Sequence, residues 1–373
     1  MHRFFARPRF HRSNSVVSLK TEPSHSQISM PTTSSWGQLK EYLFGLSPQE
    51  TTFDKRGFRV GNPQAQQRLE KSGRIFLQGY HAALADDQPE TLAQRLNTVE
   101  NEWRGFAFEG AAMGLALLDA LTPWQCNRLE NFIAGPGTDH IYMVHVGAGW
   151  VLAKLPWRLD GYLAQLHRET NTYREGHNPT KFKIQNSKAI DPLLGWLAID
   201  GYGFHEGYFH WSRVVEQQIV PKKLSGYARR VFDQGLGRSL WFLCGADFTH
   251  IPDKINAFEP MRHPDLWSGL GLACAYAGGV DQVAIATLQT TAGAYRPQLA
   301  QGAAFAAKAR QRAGNPAPHT TMACQVLCGM DVDAAAALTD STLQDLPFDE
   351  ETPAYEIWRQ RIQSHFAVKE TKV

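Results

Sequence analysis

The chain repeatedly places glycine inside runs patterned as helix. Phe76-Leu-Gln78-Gly79-Tyr80, Phe204-His-Glu206-Gly207-Tyr208, Phe232-Asp-Gln234-Gly235-Leu236 and Leu299-Ala-Gln301-Gly302-Ala303 share one order: an apolar residue, a spacer, Gln or Glu, then Gly. Ala107-Phe-Glu109-Gly110 and Leu266-Trp-Ser268-Gly269 are looser copies. An interior glycine costs a helix about 1 kcal/mol against alanine. Close approach of neighbouring helices offsets that cost, so the pattern predicts helices packed backbone to backbone.

The spacing is 31 residues from Gly79 to Gly110, and 28, 34 and 33 along Gly207, Gly235, Gly269 and Gly302. The 97 residues from Gly110 to Gly207 read as three further periods. A longer match sets Phe76–Leu84 and Phe108–Ala116 against Phe232–Leu240 and Trp267–Ala275, two halves offset by 156–159 residues. The expected fold is mainly α: stacked helical hairpins of about 32 residues in an α-solenoid-like or α/α arrangement, with an internal duplication.

Apolar periodicity places helices at Trp36–Leu43, Gln64–Ala85, Pro89–Asn101, Trp103–Leu121, from Pro123, Leu159–Gln165, Ser225–Cys244, His263–Ala277, Val280–Thr291, Gln298–Arg312, Pro318–Leu327, Val332–Thr339 and Pro353–His365. Ile141–Leu155 fits a buried helix or a strand, and Thr170–Lys188 reads as a polar surface loop. Residues 1–35 read as a disordered basic extension, 36–366 as a single helical domain and 367–373 as a frayed tail.

Charge and composition narrow the functional classes. The net charge is +2, but residues 1–35 carry about +4, which leaves the remainder near −2. Such a body gives no electrostatic reason to expect a nucleic-acid partner. No run reaches 18 apolar residues, and the amino-terminal segment lacks the apolar core of a secretory signal. The five cysteines, several in apolar helical runs, read as reduced thiols. A cytoplasmic location, at most peripheral to a membrane, is expected.

The densest chemistry lies between Gly195 and Trp211. His205-Glu206-x-x-x-His210 is one residue longer than the zincin motif. On a continuous helix five residues turn about 140°, so the two imidazoles would not share a face. Glu206 and His210, four apart, would share one and form a carboxylate–imidazole pair. Glu109 and Asp119 interrupt an apolar helix pattern, and Glu109 is a candidate for a buried carboxyl with a raised pKa or, equally, for a partner of Arg104 or Arg238. Arg238 and Asp247 bracket an apolar run and read as structural ion-pair residues at helix ends.

His319, Cys324 and Cys328 read as packing residues rather than a zinc site. Gly235-x-Gly237 and Gly269-x-Gly271 follow no strand and continue to no Walker lysine, so they are not read as phosphate loops. No G-x-S-x-G or C-x-x-C-H occurs. No metal and no cofactor is expected.

Several phrases resemble a known family: Gly79-Tyr80-His81, Phe108-Glu109-Gly110-Ala-Ala-Met113-Gly114, Asp200-Gly-Tyr-Gly-Phe-His205-Glu-Gly-Tyr-Phe209, Gly235-Leu-Gly-Arg238-Ser-Leu-Trp241-Phe and Asp265-Leu-Trp267-Ser-Gly-Leu-Gly271. Over residues 36–366 the chain resembles the UnbL-type family of bacterial proteins, a domain-of-unknown-function family. The resemblance implies a place beside the iterative polyketide synthases of enediyne clusters, or beside an RnfD-like membrane flavoprotein and a calcium-binding propeller-like protein. It carries over no catalytic residue.

The expectation is therefore an accessory protein of enediyne or polyene-type metabolite biosynthesis, acting without a cofactor as an isomerase, cyclase or dehydratase on an extended apolar chain. His205, Glu206, His210, Glu109 and Asp200 would move protons. Phe108, Tyr202, Phe204, Tyr208, Trp241 and Trp267, with Trp196 and Phe209, would line the interior. The alternative is a non-catalytic helical scaffold in a membrane-associated complex with protein partners.

Overall fold

Seven helices carry the interior glycines: α1 (Pro63–Ala85), α2 (Arg104–Leu121), α3 (Ile141–Lys154), α4 (Trp196–Phe209), α5 (Gly226–Leu243), α6 (His263–Ala277) and α7 (Arg296–Arg312). An eighth, α8 (Ala354–Phe366), packs against α7. The computed structural model describes residues 35–122, 124, 127–174, 190–348 and 351–367, and no strand occurs among them. No single helix among these residues is long and apolar enough to cross a membrane.

One crossing joins each helix to the next. A Cβ at Gly110 would overlap the carbonyl oxygen of Phe76, and one at Gly79 that of Ala107. The same exchange recurs between α3 and α4 (Gly149 on Ala198, Gly201 on Val146), α4 and α5 (Gly203 on Phe232, Gly235 on Asp200), α5 and α6 (Gly237 on Leu266, Gly269 on Gln234), and α6 and α7 (Gly271 on Leu299, Gly302 on Ser268). Gly147 meets Glu109 between α2 and α3. In each pair one number rises as the other falls, so neighbours run antiparallel. The bare backbones interlock in a way that any side chain would block, and this offsets the glycine cost in helix propensity.

The unit is thus Gly-x-Gly on a single helix. The first glycine meets the preceding helix and the second meets the following one. The end helices α1 and α7 need only one glycine each, and α2 carries Ala112 in place of the second, its Cβ set against Gly147. Counting from the residue before the first glycine, the equivalent positions are Phe76, Glu109, Val146, Asp200, Gln234, Ser268 and Gln301.

This register corrects the sequence alignment in two places. Gly79 is a second glycine, not a partner of Gly110. Gly207 faces the side chains of Ser239 and Leu236 rather than a backbone, and the α4 copy is Asp200-Gly-Tyr-Gly203. Only one copy, in α3, lies between α2 and α4. The remaining length there includes the helix Leu159–Arg174.

Helix ends follow local chemistry. Pro63 opens α1 behind Asn62, whose Oδ1 accepts from Gln64 N at 2.8 Å. Asp281 and Asp331 cap Gln282–Ala292 and Val332–Ser341 in the same way. The ambiguous segment around Ile141 is helical. Its Gly147 and Gly149 serve crossings, and its apolar side chains are buried on several sides. The loop expected over Thr170–Lys188 is helical as far as Arg174, and 175–188 lie outside the described residues.

Pro123 also lies outside them, and the next helix begins at Arg128. Of the extension expected over 1–35, residues 1–34 lie outside the described residues, and Ser35 opens the helix Ser35–Phe44. Residues 368–373 of the tail lie outside them too.

The series curls back on itself. Arg68 of α1 donates to Ala277 O at the end of α6 (2.6 Å), and Phe106 of α2 packs edge-on against Tyr276 of α6, centroids 5.3 Å apart. Helices α1 to α6 therefore surround a common interior.

Candidate functional site

The interior of this ring is hollow. One cavity, about 630 Å³ of space free of protein atoms and partly open to solvent, is lined by residues from all six helices, α1 to α6. Its wall is largely aromatic: Phe76, Phe106, Trp150, Phe204, Tyr208, Phe209, Phe242 and Tyr276. A second space of about 500 Å³ lies among α3 to α8. Both are bounded by Met143, Arg238, Leu272 and Tyr276, which therefore form a shared partition.

The glycine register accounts for part of this lining. Four residues after each register position stand Tyr80, Met113, Trp150, Phe204, Arg238, Leu272 and Phe305. One helical turn from the crossing, Trp150, Phe204, Arg238, Leu272 and Phe305 line one space or the other, whereas Tyr80 and Met113 line neither. Six of these seven are large and apolar or aromatic. Arg238 is the charged exception.

Arg238 is buried and meets two carboxyl groups at register positions. It donates through one guanidinium nitrogen to Asp200 Oδ1, and its other terminal nitrogen lies 3.7 Å from Glu109 Oε1. Gln234, the register residue of α5, donates to Asp200 Oδ2 at 2.8 Å. Asp200 is thereby bonded on both oxygens, whereas Glu109 Oε1 makes no hydrogen bond. Burial pushes the Glu109 carboxyl up to about 7. The Arg238 charge opposes that rise, and the Asp200 charge reinforces it. The result is a carboxylic acid in an apolar chamber that exchanges its proton near neutral pH, with a fixed cation beside it.

Tyr276 lines both spaces, and its hydroxyl is buried without a hydrogen-bond partner. Burial raises its pKa, so it is a neutral phenol, its hydroxyl set against Gly105 of α2.

The structure divides the five catalytic candidates into two groups. Glu109 lines the larger cavity, and Asp200 lines the smaller one. His205, Glu206 and His210 line neither; they lie at the carboxy-terminal end of α4. His205 is buried against Trp150 and Phe209, with ring centroids at 5.4 and 4.6 Å, and neither ring nitrogen is hydrogen-bonded. Burial pushes its pKa down to about 4, against the opposing pull of Glu206.

Glu206 Oε1 lies 3.5 Å from His205 Nδ1 and 3.2 Å from His210 Nδ1, and Arg213 donates to Oε2. Burial raises the Glu206 pKa, but His205, His210 and Arg213 together outweigh it and hold the carboxyl below its usual range. The expectation that the two imidazoles diverge is corrected here. Helix α4 ends at Phe209, and His210 leaves it with φ −128° and ψ 34°, which turns its ring back onto Glu206.

Of the expected lining, Phe204, Tyr208 and Phe209 are in place. The others are packed elsewhere. Phe108 stacks on His140, centroids 4.0 Å apart, and Tyr202 meets Phe232 edge-on. Trp241 donates to Gly278 O at 2.9 Å, Trp196 meets Tyr227 edge-on, and Trp267 is buried outside both linings.

Arg238 was expected at a helix end, yet it lies inside α5; Asp247 pairs with Arg59 instead, at 3.0 Å. Of the two partners considered for Glu109, Arg238 is the one in place. Cys324 and Cys328 point their sulfurs at the carbonyls of Ala303 and Ala300, and His319 meets Tyr276 O at 2.9 Å. Sequence reading missed Phe76, Phe106, Met143, Trp150, Phe242 and Tyr276. The Gly-x-Gly register would have marked Trp150, through its place four residues beyond Val146.

A family model described as "Protein of unknown function (DUF1702)" matches residues 35–366. No curated protein and no solved structure matches the chain.

Proposed function

The chain belongs to the DUF1702 family of proteins of unknown function, and we propose that it acts on an extended, unsaturated apolar molecule in its central chamber. Glu109 serves as general acid and base. The observation that carries this reading is one buried carboxyl, with its pKa near 7, set in an aromatic wall beside Arg238.

The chemistry follows from that pair. Protonated Glu109 donates to one carbon of a conjugated segment, and its carboxylate takes a proton from another. A double-bond migration of this kind balances without a co-reactant, and Glu109 returns to its starting state. Arg238 favours the carboxylate stage. In a dehydration Glu109 donates instead to a hydroxyl oxygen, the carbon–oxygen bond breaks, water leaves, and the carboxylate takes a proton from the neighbouring carbon to form the double bond. In a cyclisation the cation made by donation to carbon forms a carbon–carbon bond before the carboxylate takes a proton back from the ring. Aromatic walls exclude water and align a flat polyene. The resemblance to enediyne-cluster proteins motivates a polyene substrate from an iterative polyketide synthase.

Purified protein mixed with the polyene product of the matching synthase tests this by absorbance and mass. Expected is a change in chromophore or mass that Glu109→Gln slows by about a hundredfold or more with binding retained. Equal turnover by that variant, or neither binding nor change in the unaltered protein, ends the reading.

A scaffold role in a membrane-associated complex draws on a different observation. Leu39, Tyr42 and Leu43 are exposed on the helix Ser35–Phe44, and Trp157 is exposed beyond α3. Under that reading Tyr42→Glu with Leu43→Glu abolishes function in the producing cell, while Glu109→Gln leaves it intact.

A further inference from the structure

We propose that His205, Glu206 and His210 form a binding site for a divalent transition-metal ion of the zinc class. The site lies outside both cavity linings and stands independently of the chemistry assigned to Glu109. One ligand atom from each residue lies within 4.8 Å of the others, and this is the one such group among the described residues.

The two separations from Glu206 fit a small ion, and the two imidazoles bring ligand nitrogens within 4.8 Å of each other. Zinc bonds to nitrogen and oxygen of about 2.0–2.1 Å in a tetrahedron put neighbouring ligand atoms roughly 3.4 Å apart. Glu206 Oε1 lies 3.5 Å from His205 Nδ1 and 3.2 Å from His210 Nδ1.

His205 points independently to a ligand. It is 1 % exposed, its Nδ1 faces Glu206 Oε1 at 3.5 Å, and its Nε2 has no hydrogen-bond partner. A buried imidazole left so is costly unless something coordinates it. The surroundings supply the outer shell that such sites use. Arg213 donates to Glu206 Oε2, which fixes the carboxylate and leaves Oε1 for the ion. Trp150 and Phe209 pack against the His205 ring.

Arg56 and Lys154 lie over the Phe209 ring at 5.0 and 5.4 Å, so the cations facing the cluster are Arg56, Lys154 and Arg213. Their presence disfavours weakly held hard ions and selects for a metal that bonds strongly to imidazole. Two nitrogens and one carboxylate oxygen suit zinc, cobalt, nickel or copper over magnesium and calcium, which prefer oxygen throughout. The His210 side chain is about half exposed, which gives the ion a route in and leaves a fourth position for water.

The full chain, stripped with a chelator, is titrated with Zn²⁺ by calorimetry and with Co²⁺ by visible absorption, with Mg²⁺ as comparison. Expected are one equivalent of bound Zn²⁺, the intense visible bands of four-coordinate Co²⁺, and a melting temperature raised by Zn²⁺ but not by Mg²⁺. His210→Ala changes an exposed side chain and leaves metal-free folding intact. It weakens Zn²⁺ binding by at least about tenfold, and Glu206→Gln does the same. Absence of stoichiometric Zn²⁺ binding overturns the proposal. So does binding that both variants retain in full, since that places the ion elsewhere in the chain.

Discussion

Two arginines, Arg238 and Arg359, are buried among carboxylates, and the surroundings of each decide what it can do. Arg359 of α8 donates to Asp265 Oδ1 at 2.8 Å and Glu356 Oε2 at 2.9 Å. Arg230 reaches the same two carboxylates, at 3.0 and 2.8 Å. Tyr227 and Gln360 complete the shell of Glu356. That cluster holds two cations and two anions, and every carboxylate oxygen is engaged. The Arg238 cluster holds one cation for Asp200 and Glu109. Asp200 takes the close bond, and Glu109, 3.7 Å away, is the group that keeps its proton into the neutral range. A balanced buried cluster is structural; one short of a cation creates a proton donor.

Removing each arginine in turn gives the largest expected effect. Arg359→Met leaves Asp265 and Glu356 with Arg230 alone and costs about 3–5 kcal/mol in denaturant unfolding. Arg238→Met costs roughly half as much, because Gln234 still donates to Asp200 and Glu109 stays neutral by keeping its proton. Equal losses in the two variants break the distinction.

The next effect is read against pH. The Glu109 pKa rises from 4.5 to about 7 on folding. Its contribution is therefore fully present below pH 4.5 and is lost as pH rises through 7, by about 3 kcal/mol in all. Glu109→Gln should abolish that decline between pH 4.5 and about 7, measured as the difference from the unaltered protein. His140, stacked on Phe108, works in the opposite direction. Burial takes its pKa from 6.5 to about 4, so its contribution is present above pH 6.5 and is lost as pH falls through 4. His140→Phe should flatten the acid side by a similar amount. A Glu109→Gln variant that keeps the full decline between pH 4.5 and about 7 shows that the carboxyl is ionised in the fold.

Much of this architecture was legible in the sequence, and the failures have physical causes. Gly110, Gly235, Gly269 and Gly302 were aligned correctly because a helix keeps interior glycine only where a neighbour's backbone needs the space. Gly79 and Gly207 were misaligned because the same letters, Gln or Glu before Gly, occur without the same contact. Glu109 stood out as a charge in an apolar pattern. Arg238 stood as one of two partners for Glu109 and as a structural ion-pair residue; Asp200, 38 residues earlier, lies on the adjacent helix, and Glu109, 129 residues earlier, is brought near by the curl of the helices. His210 was excluded from sharing a face with His205 by extending a helix that in fact ends one residue sooner.

The smallest expected effect tests whether there are two clusters or one. Gln234 touches both sides: its amide donates to Asp200 at 2.8 Å and to the Tyr355 hydroxyl at 3.1 Å, and Tyr355 precedes Glu356 in α8. An amide passes on a hydrogen bond but carries no charge. Tyr355→Phe should therefore cost only about 0.5–1.5 kcal/mol, the worth of one neutral hydrogen bond. It should couple to Asp200→Asn, because both changes act on the same amide. Glu356→Gln and Glu109→Gln share no partner, so their double-mutant cycle should give less than about 0.5 kcal/mol. A coupling above about 1 kcal/mol between those two carboxyls would make the buried charges a single network, and the charge count around Arg238 alone would no longer account for the proton on Glu109.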